Sequence, residues 1–353
     1  MAEKDSLTEK ATGFLRLVGK RRLWIQTHDI PDPDALASAE AFRVIARQFG
    51  VTARIVTNGF PSRRENNALI KECKIHVHSL DSVKIRSAKR SAWVFVDCLP
   101  GGGNVTLHPL APGDLFMVID HHGKPDDSLK NNPGSFILAD PGVGATATLL
   151  GKLLLKLKVP FPPRLASALT YAIITDTQDF SRGASKADLE VYSALFLQTN
   201  LKIISRLRNV TKSRMYFRTV YKSLVNAYTY RHVSWVFIGK VTSGEIAAEM
   251  ADFILSCERV TWALSMGYSS EKLYLSLRSS QPKSQCARII HKLVRDYHST
   301  VGGHTQFAGG FIFLNPSDNP GEIAGNLIKR FLRLILRLPK SAEIPEGTPI
   351  VVE

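Results

Sequence analysis

Apolar residues in the first half of the chain come in short runs separated by longer mixed stretches. RLWIQTHD (22–29), TARIVTN (52–58), SAWVFVDC (91–98), DLFMVIDHH (114–122) and SFILAD (135–140) are rich in Val, Ile, Phe and Trp, and each predicts a strand. DALASAEAFRVIARQFG (34–50) instead repeats its apolar positions at helical spacing and ends at Gly50, a helix-stopping residue. LASALTYAIITDTQDFS (165–181) carries a second long apolar helical pattern, with Asp176 near its end. This alternation predicts an α/β fold, a mainly parallel sheet with helices on both faces. In such sheets polar groups at the carboxyl ends of the strands line the binding crevice.

The polar residues that interrupt these patterns fall at those ends. His28, Asp97 and the triplet Asp120-His121-His122 stand where strand runs give out, so neighbouring strands would deliver them to one sheet edge. THDIPDPDALAS adds Asp32 and Asp34 in the loop before the first helix, and Asp176 interrupts the second helical pattern. Each alone has an ordinary explanation: Asp34, before an Ala-rich helix, fits an N-cap. Together they offer enough imidazole and carboxylate groups for two divalent metals. Nitrogen and oxygen donors without thiolate suit manganese or another borderline cation better than a calcium site.

Composition narrows the setting. A chain of 353 residues, 44% hydrophobic and 22% charged, can bury a substantial core and form two domains. No apolar run reaches the ~18 residues of a membrane span, and the N-terminal MAEKDSLTEK is polar, so a soluble protein without a membrane partner is expected. Cys73, Cys98, Cys257 and Cys286 are scattered without CxxC spacing, which argues against a disulfide framework or structural zinc and fits reduced thiols in the cytoplasm. Net charge is +15, and Val191 to Gly244 holds nine Lys or Arg and no Asp or Glu. That imbalance points to an anionic partner, the bland alternative being a solvated basic face. Within it KIISRLRNVTKSRMYFRTVYKSL (202–224) is mostly helical in pattern, with basic residues on more than one face. The C-terminal IAGNLIKRFLRLILRLPK (323–340) has a helical apolar stripe with basic flanks, read as a core-packed final helix in preference to a membrane-surface one.

The order His28, Asp32, Asp34, Asp97, Asp120-His121-His122, Asp176 resembles the four motifs of the DHH phosphoesterases, a family named for that triplet, over roughly residues 20 to 190. Pro33 departs from the small residue usual in the family and restricts Asp32 to extended geometry, which still permits ligation. The resemblance implies that His28 and Asp32 hold one metal, that Asp34, His121 and Asp176 hold the other, and that Asp97 bridges both. It implies also that His122 faces the substrate phosphate while Asp120 orients the histidines. In the second half, GGHTQFAGG (302–310) and YLSLRSS (274–280) resemble the DHH-associated C-terminal domain of the oligoribonuclease and RecJ branch. Val301 stands where that family usually has a further glycine. The resemblance implies a glycine-rich loop in which Gly302, Gly303 and His304 contact a phosphate or base, with Arg278 as a phosphate clamp. It implies a DHH domain over 1–195, a helical connector over 196–225 and a smaller α/β substrate-binding domain over 226–353, with a cleft between the two domains.

The activity so implied is hydrolysis at phosphorus by water, assisted by two divalent metals, with manganese expected and no protein nucleophile. The leading substrate is a short single-stranded oligonucleotide cut to mononucleotides, and beside it the 3′-phosphate of adenosine 3′,5′-bisphosphate. RecJ-type nucleases carry further domains for which this length leaves little space. A cyclic- or linear-dinucleotide phosphodiesterase and a non-catalytic nucleotide-binding protein are the alternatives, and a homodimer is left open.

Overall fold

The computed structural model describes residues 6–59, 61, 63–82, 91–100, 105–107, 114–123, 135–303 and 305–351. The chain divides into two compact units, Met1–Thr211 and Lys212–Glu353.

The first unit is built on strands β1 (Leu23–Gln26), β2 (Ala53–Thr57), β3 (Val77–Ser79), β4 (Ala92–Val96), β5 (Leu115–Asp120) and β6 (Ser135–Ala139), in the order β3-β2-β1-β4-β5-β6. All five ladders are parallel. Every residue of β4 is buried, as expected of a central parallel strand covered on both sides. The helices are α1 (Ser6–Val18), α2 (Pro33–Gln48), α3 (Arg64–Cys73), α4 (Thr146–Lys156), α5 (Pro163–Asp176), α6 (Lys186–Phe196) and α7 (Leu201–Arg208). Their buried residues, among them Phe14, Phe42, Leu69, Leu150, Leu169, Leu195 and Leu207, form one core with Ile25, Val94 and Met117 of the sheet. On the opposite face Trp24, Trp93, Phe95, Phe116 and Val118 cluster with Leu80, Leu99 and Val105. The small residues Ala35, Ala37, Ala39 and Ala41 of α2 are fully buried, which lets α4 and α5 approach it closely. The order of the strands across the sheet reverses between β1 and β4, so the crevice of this sheet opens at their carboxyl ends.

The second unit has strands β7 (Ala227–Tyr230), β8 (Val233–Lys240), β9 (Trp262–Tyr268), β10 (Lys272–Ser279), β11 (Ser299–Gly303), β12 (Phe307–Phe313) and β13 (Thr348–Pro349), ordered β11-β12-β10-β9-β8-β7-β13. Only the β8–β9 ladder is parallel. Helices α10 (Cys286–Val294) and α11 (Pro320–Leu336) cover one face, and α8 (Arg214–Val225) and α9 (Gly244–Leu255) contribute to the cluster on the other. Ala324, Leu327, Phe331 and Leu332 of α11 are buried in the first of these cores, so the C-terminal stripe is a packing stripe. The basic segment is divided between the units. Helix α7 packs on α3 and α5, residues 209–213 break the helix, and Tyr216 and Val220 of α8 pack on the second unit. Among the described residues no helix is long and apolar enough to cross a membrane.

Candidate metal centre

Register alone gathers the site. Gln26 pairs with Phe95 and Val96 with Ile119, so β1, β4 and β5 end side by side. At or just beyond those ends come His28, Asp97 and Asp120-His121-His122. Asp97 has a left-handed backbone (φ 57), a conformation that costs energy for any residue with a Cβ. Its N–H donates to Ile119 O at 2.9 Å, which holds that turn.

His28, Asp32 and Asp97 form one group of mutually close donor atoms, and Asp34, His121 and Asp176 form a second. The carboxylate of Asp97 divides between them. Its Oδ2 lies 3.8 Å from His28 Nε2 and its Oδ1 lies 3.7 Å from His121 Nε2. His121 Nε2 is also 3.2 Å from Asp176 Oδ2 and 3.9 Å from Asp34 Oδ2. It is nevertheless buried with no hydrogen-bond partner. A buried ring nitrogen aimed at three carboxylates is what a cation would satisfy, so the residues fit a divalent metal pair. Asp97, His121 and His122 are also mutually close. His122 Nδ1, however, is hydrogen-bonded to Asp120 Oδ1 at 2.7 Å, which leaves that nitrogen engaged.

Asp32, and not Asp34, caps α2: its Oδ1 accepts from Ala35 N at 3.0 Å, and Pro33 follows at the first helical position, where a missing N–H costs nothing. Asp34 lies within α2 and serves a different helix. It accepts from Thr146 N and Ala147 N, both at 2.7 Å, so it occupies the electropositive start of α4. The same turn supplies Thr146 Oγ1 to Asp97 Oδ1 at 2.9 Å, and Val143 O lies 3.4 Å from His121 Nδ1. That carbonyl places the proton on Nδ1 and leaves Nε2 as the donor atom. Asp188 of α6 anchors this turn: fully buried, it accepts from Gly144 N, Thr148 Oγ1, Ser185 N and Ser185 Oγ. A Cβ on Gly144 would come within 2.6 Å of Thr177 Cγ2 and 3.0 Å of Gly183 O, so glycine is required there. Val143, Thr146 and Asp188 were not expected from the sequence. The available signals were the run of small residues in PGVGATA and the Ser185-x-x-Asp188 capping box.

Residues 22–173 match the family described as DHH family, N-terminal domain. They are a DHH domain. Beyond it, the chain is 26% identical over 274 residues to an uncharacterized protein of Methanocaldococcus jannaschii, covering 77% of this chain and 55% of that one. It is 25% identical over 175 residues to the "Probable manganese-dependent inorganic pyrophosphatase" of Enterococcus faecalis, covering 48% of this chain and 52% of the other. The chain therefore spans about half the length of the curated relatives it matches. In fold it is similar to an exopolyphosphatase-related protein from Bacteroides fragilis (TM-score 0.72, 17% identity, 93% of this chain and 98% of that one). It is similar also to RecJ from Thermus thermophilus in complex with Mn2+ (TM-score 0.56, 17% identity, 95% of this chain and 55% of that one).

The electrostatics of the DHH domain are those of a site short of positive charge. Burial, then the charges of Asp34 and Asp32, pushes Asp97 well above the usual carboxylate range. Burial, then Asp176 and Asp32, does the same to Asp34, and burial with Asp32 lifts Asp176 to about 7. Burial would raise Asp32 also, but the hydrogen bond and charge of His28 outweigh it and hold that carboxyl low. Burial and the neighbouring His122 push His121 down to about 4, so its ring is neutral and free to ligate. His122 is pulled down by burial, but the hydrogen bond and charge of Asp120 raise it overall.

These shifts predict how the metal-free DHH domain responds to pH. Asp34, Asp97 and Asp176 bind protons more tightly folded than unfolded, so their stabilising effect is complete at low pH and is lost as pH rises through their folded values. His121, depressed in the fold, works in the opposite sense, but only up to its unfolded pKa near 6.5. From about pH 6.5 to about pH 8.5 only losses remain, to which His122 adds. The melting temperature in chelator is therefore expected to fall across that range, and saturating Mn2+ should remove the slope. A flat profile in chelator would show that the carboxylates do not crowd one another as described.

The remaining expected residues lie in the second unit. Gly302 and Gly303 are strand residues of β11 and not loop residues: Gly302 pairs with Gly309 and Gly303 with Ala308, so one glycine of each pair faces the other across a hairpin. At Gly303 (φ 153) a Cβ would strike Ala308 Cα and Phe307 O, whereas at Gly302 the space is open. The close approach of two strands therefore explains Gly303. Arg278 Nε donates to Asp252 Oδ1 at 2.7 Å and Nη1 to Leu277 O and Ala308 O, with the guanidinium 5.7 Å from the Phe307 ring. A phosphate on Arg278 would compete with Asp252. His304 lies outside the described residues.

Proposed function

We propose that this chain is a metal-dependent phosphoesterase that cuts short single-stranded oligonucleotides to mononucleotides with two divalent ions, manganese serving best. The observation that carries the reading is Asp97, which offers one carboxylate oxygen to each of two ligand groups at the carboxyl edge of a DHH-domain sheet. Divalent ions bound there supply charge that polarises a phosphoryl group and acidifies the attacking water. Two relatives support that choice of metal: RecJ from Thermus thermophilus in complex with Mn2+, and the Enterococcus faecalis protein called a probable manganese-dependent inorganic pyrophosphatase.

The protein's own groups divide the rest of the work. Against the pull of burial, the hydrogen bond and charge of Asp120 raise His122 overall and so favour its charged form, and at 39% exposure the ring is open to a phosphoryl oxygen while its Nδ1 stays tethered. That charge strengthens its contact as the oxygen gains charge in the transition state. Cys98, the thiol next to the ligand Asp97, is not poised as a nucleophile. The Cys98 thiol points to Gln26 O at 3.7 Å, and burial pushes it well up. In the second unit Arg278, Phe307 and the glycine pair Gly302–Gly309 share one sheet face, where bare backbone beside a guanidinium and a ring suits a nucleotide.

A substrate panel tests the reading. Manganese-dependent release of mononucleotide from di- and trinucleotides is expected, together with phosphate release from adenosine 3′,5′-bisphosphate and little turnover of inorganic polyphosphate. Tight binding of these nucleotides by the metal-loaded protein without turnover would make it a binding protein, and preferred cleavage of polyphosphate would replace the substrate class.

A further inference from the structure

Helix α8 presents a solvent-facing surface that the metal site does not use. Phe217 and Tyr221, at 63% and 65% exposure, stand one turn apart, and Val225 continues their row. Beside them Arg214, Arg218 and Lys222, all exposed, form a second row at the same spacing. At ~100° per residue the six positions fall within an arc of about 140°. The opposite side of the helix, with Tyr216, Val220 and Ser223, is packed against the sheet. Among the described residues none of the three cations has an acidic partner. Glu249, the acid that meets this helix, is taken by Lys212 Nζ at 3.2 Å and Tyr216 Oη at 2.9 Å on the packed side. Elsewhere in the acid-free segment Arg206 and Arg208 are paired, with Glu72 and Asp179.

We infer that this face is a binding platform for single-stranded nucleic acid, an inference that rests on the oligonucleotide reading above and extends it to strands longer than the metal site takes. A solvated basic face accounts for the cations but not for two large aromatic rings left in water beside them. A single strand matches both rows: bases stack on Phe217 and Tyr221, and phosphates lie along Arg214, Arg218 and Lys222. A second copy of the chain is a poor occupant, because an isologous contact along the helix would set the three cations against their own copies. Inorganic polyphosphate satisfies the cations but offers no base to stack on the exposed rings.

The test is fluorescence anisotropy of the full chain with a labelled oligonucleotide of about twelve nucleotides, in chelator so that nothing is cut. Phe217→Ala with Tyr221→Ala is expected to weaken binding roughly tenfold to a hundredfold, while Phe217→Trp retains it. Replacing Arg214, Arg218 and Lys222 by Ala should flatten the dependence of log K on log salt by about two. Manganese-dependent turnover of a dinucleotide should stay near wild type in all of these variants. Unchanged affinity in the aromatic double variant would overturn the proposal. So would a wild-type dimer in sedimentation that the double variant dissolves. If binding falls as expected while the wild type cuts no dinucleotide, the platform stands and the proposed hydrolysis falls.

Discussion

Asn in place of Asp97 is expected to lower kcat by about three orders of magnitude or more while the protein stays folded. The amide keeps the shape of the side chain and can still accept from Thr146 Oγ1, the bond now made at 2.9 Å. It loses the charge that both ligand groups share. Removing several kcal/mol of charge stabilisation from the transition state accounts for a loss of that size. The folding side runs the other way. Burial and neighbouring carboxylates make ionised Asp97 costly in the metal-free protein, so the neutral Asn variant should melt no lower than wild type in chelator at neutral pH. A collapsed melting temperature would assign Asp97 to the fold, and turnover near wild type with Mn2+ would remove it from the site. Both are read from one set of melting curves and steady-state rates.

His122→Ala is expected to cost about 10²- to 10³-fold in kcat, the usual loss of one group that stabilises developing charge. Asp120→Asn should cost less, about 10- to 100-fold, because it leaves the ring present but releases Nδ1 from its 2.7 Å partner. Since Asp120 acts on the substrate only through His122, the double variant should be no slower than His122→Ala alone. Additive losses would instead give Asp120 a role of its own. Losing the Asp120 partner should also lower the His122 pKa, moving the fall of activity with rising pH to lower pH in Asp120→Asn.

The strands and the residues gathered at the candidate site were legible in the sequence because both follow local rules. Buried parallel strands read as apolar runs, and the topology then places whatever follows each run at a common edge, as with His28, Asp97 and Asp120. Contacts between distant segments were not legible. Nothing local tells that Asp34 serves the start of α4, 112 residues away, while Asp32 caps α2. The support given by Asp188 through Gly144 and Thr148 likewise exists only once α6 packs beside α4. In the second unit the glycines of GGHTQFAGG read as a loop, since glycine favours turns. Across a tight hairpin it also allows two backbones to approach, and the structure uses Gly303 that way. The acid-free stretch was visible as charge, but its aromatic row became a surface only when α8 packed Tyr216 and Val220 against the second unit's core and left Phe217 and Tyr221 outside.

Titration of metal-stripped protein with Mn2+, following mononucleotide release from a dinucleotide, tests the central claim most directly. Activity should be absent in chelator, rise with added metal and saturate near two ions per chain, with no recovery in Asp97→Asn at any metal concentration. Full turnover in chelator, or two ions bound with no turnover of any phosphoester, would contradict it.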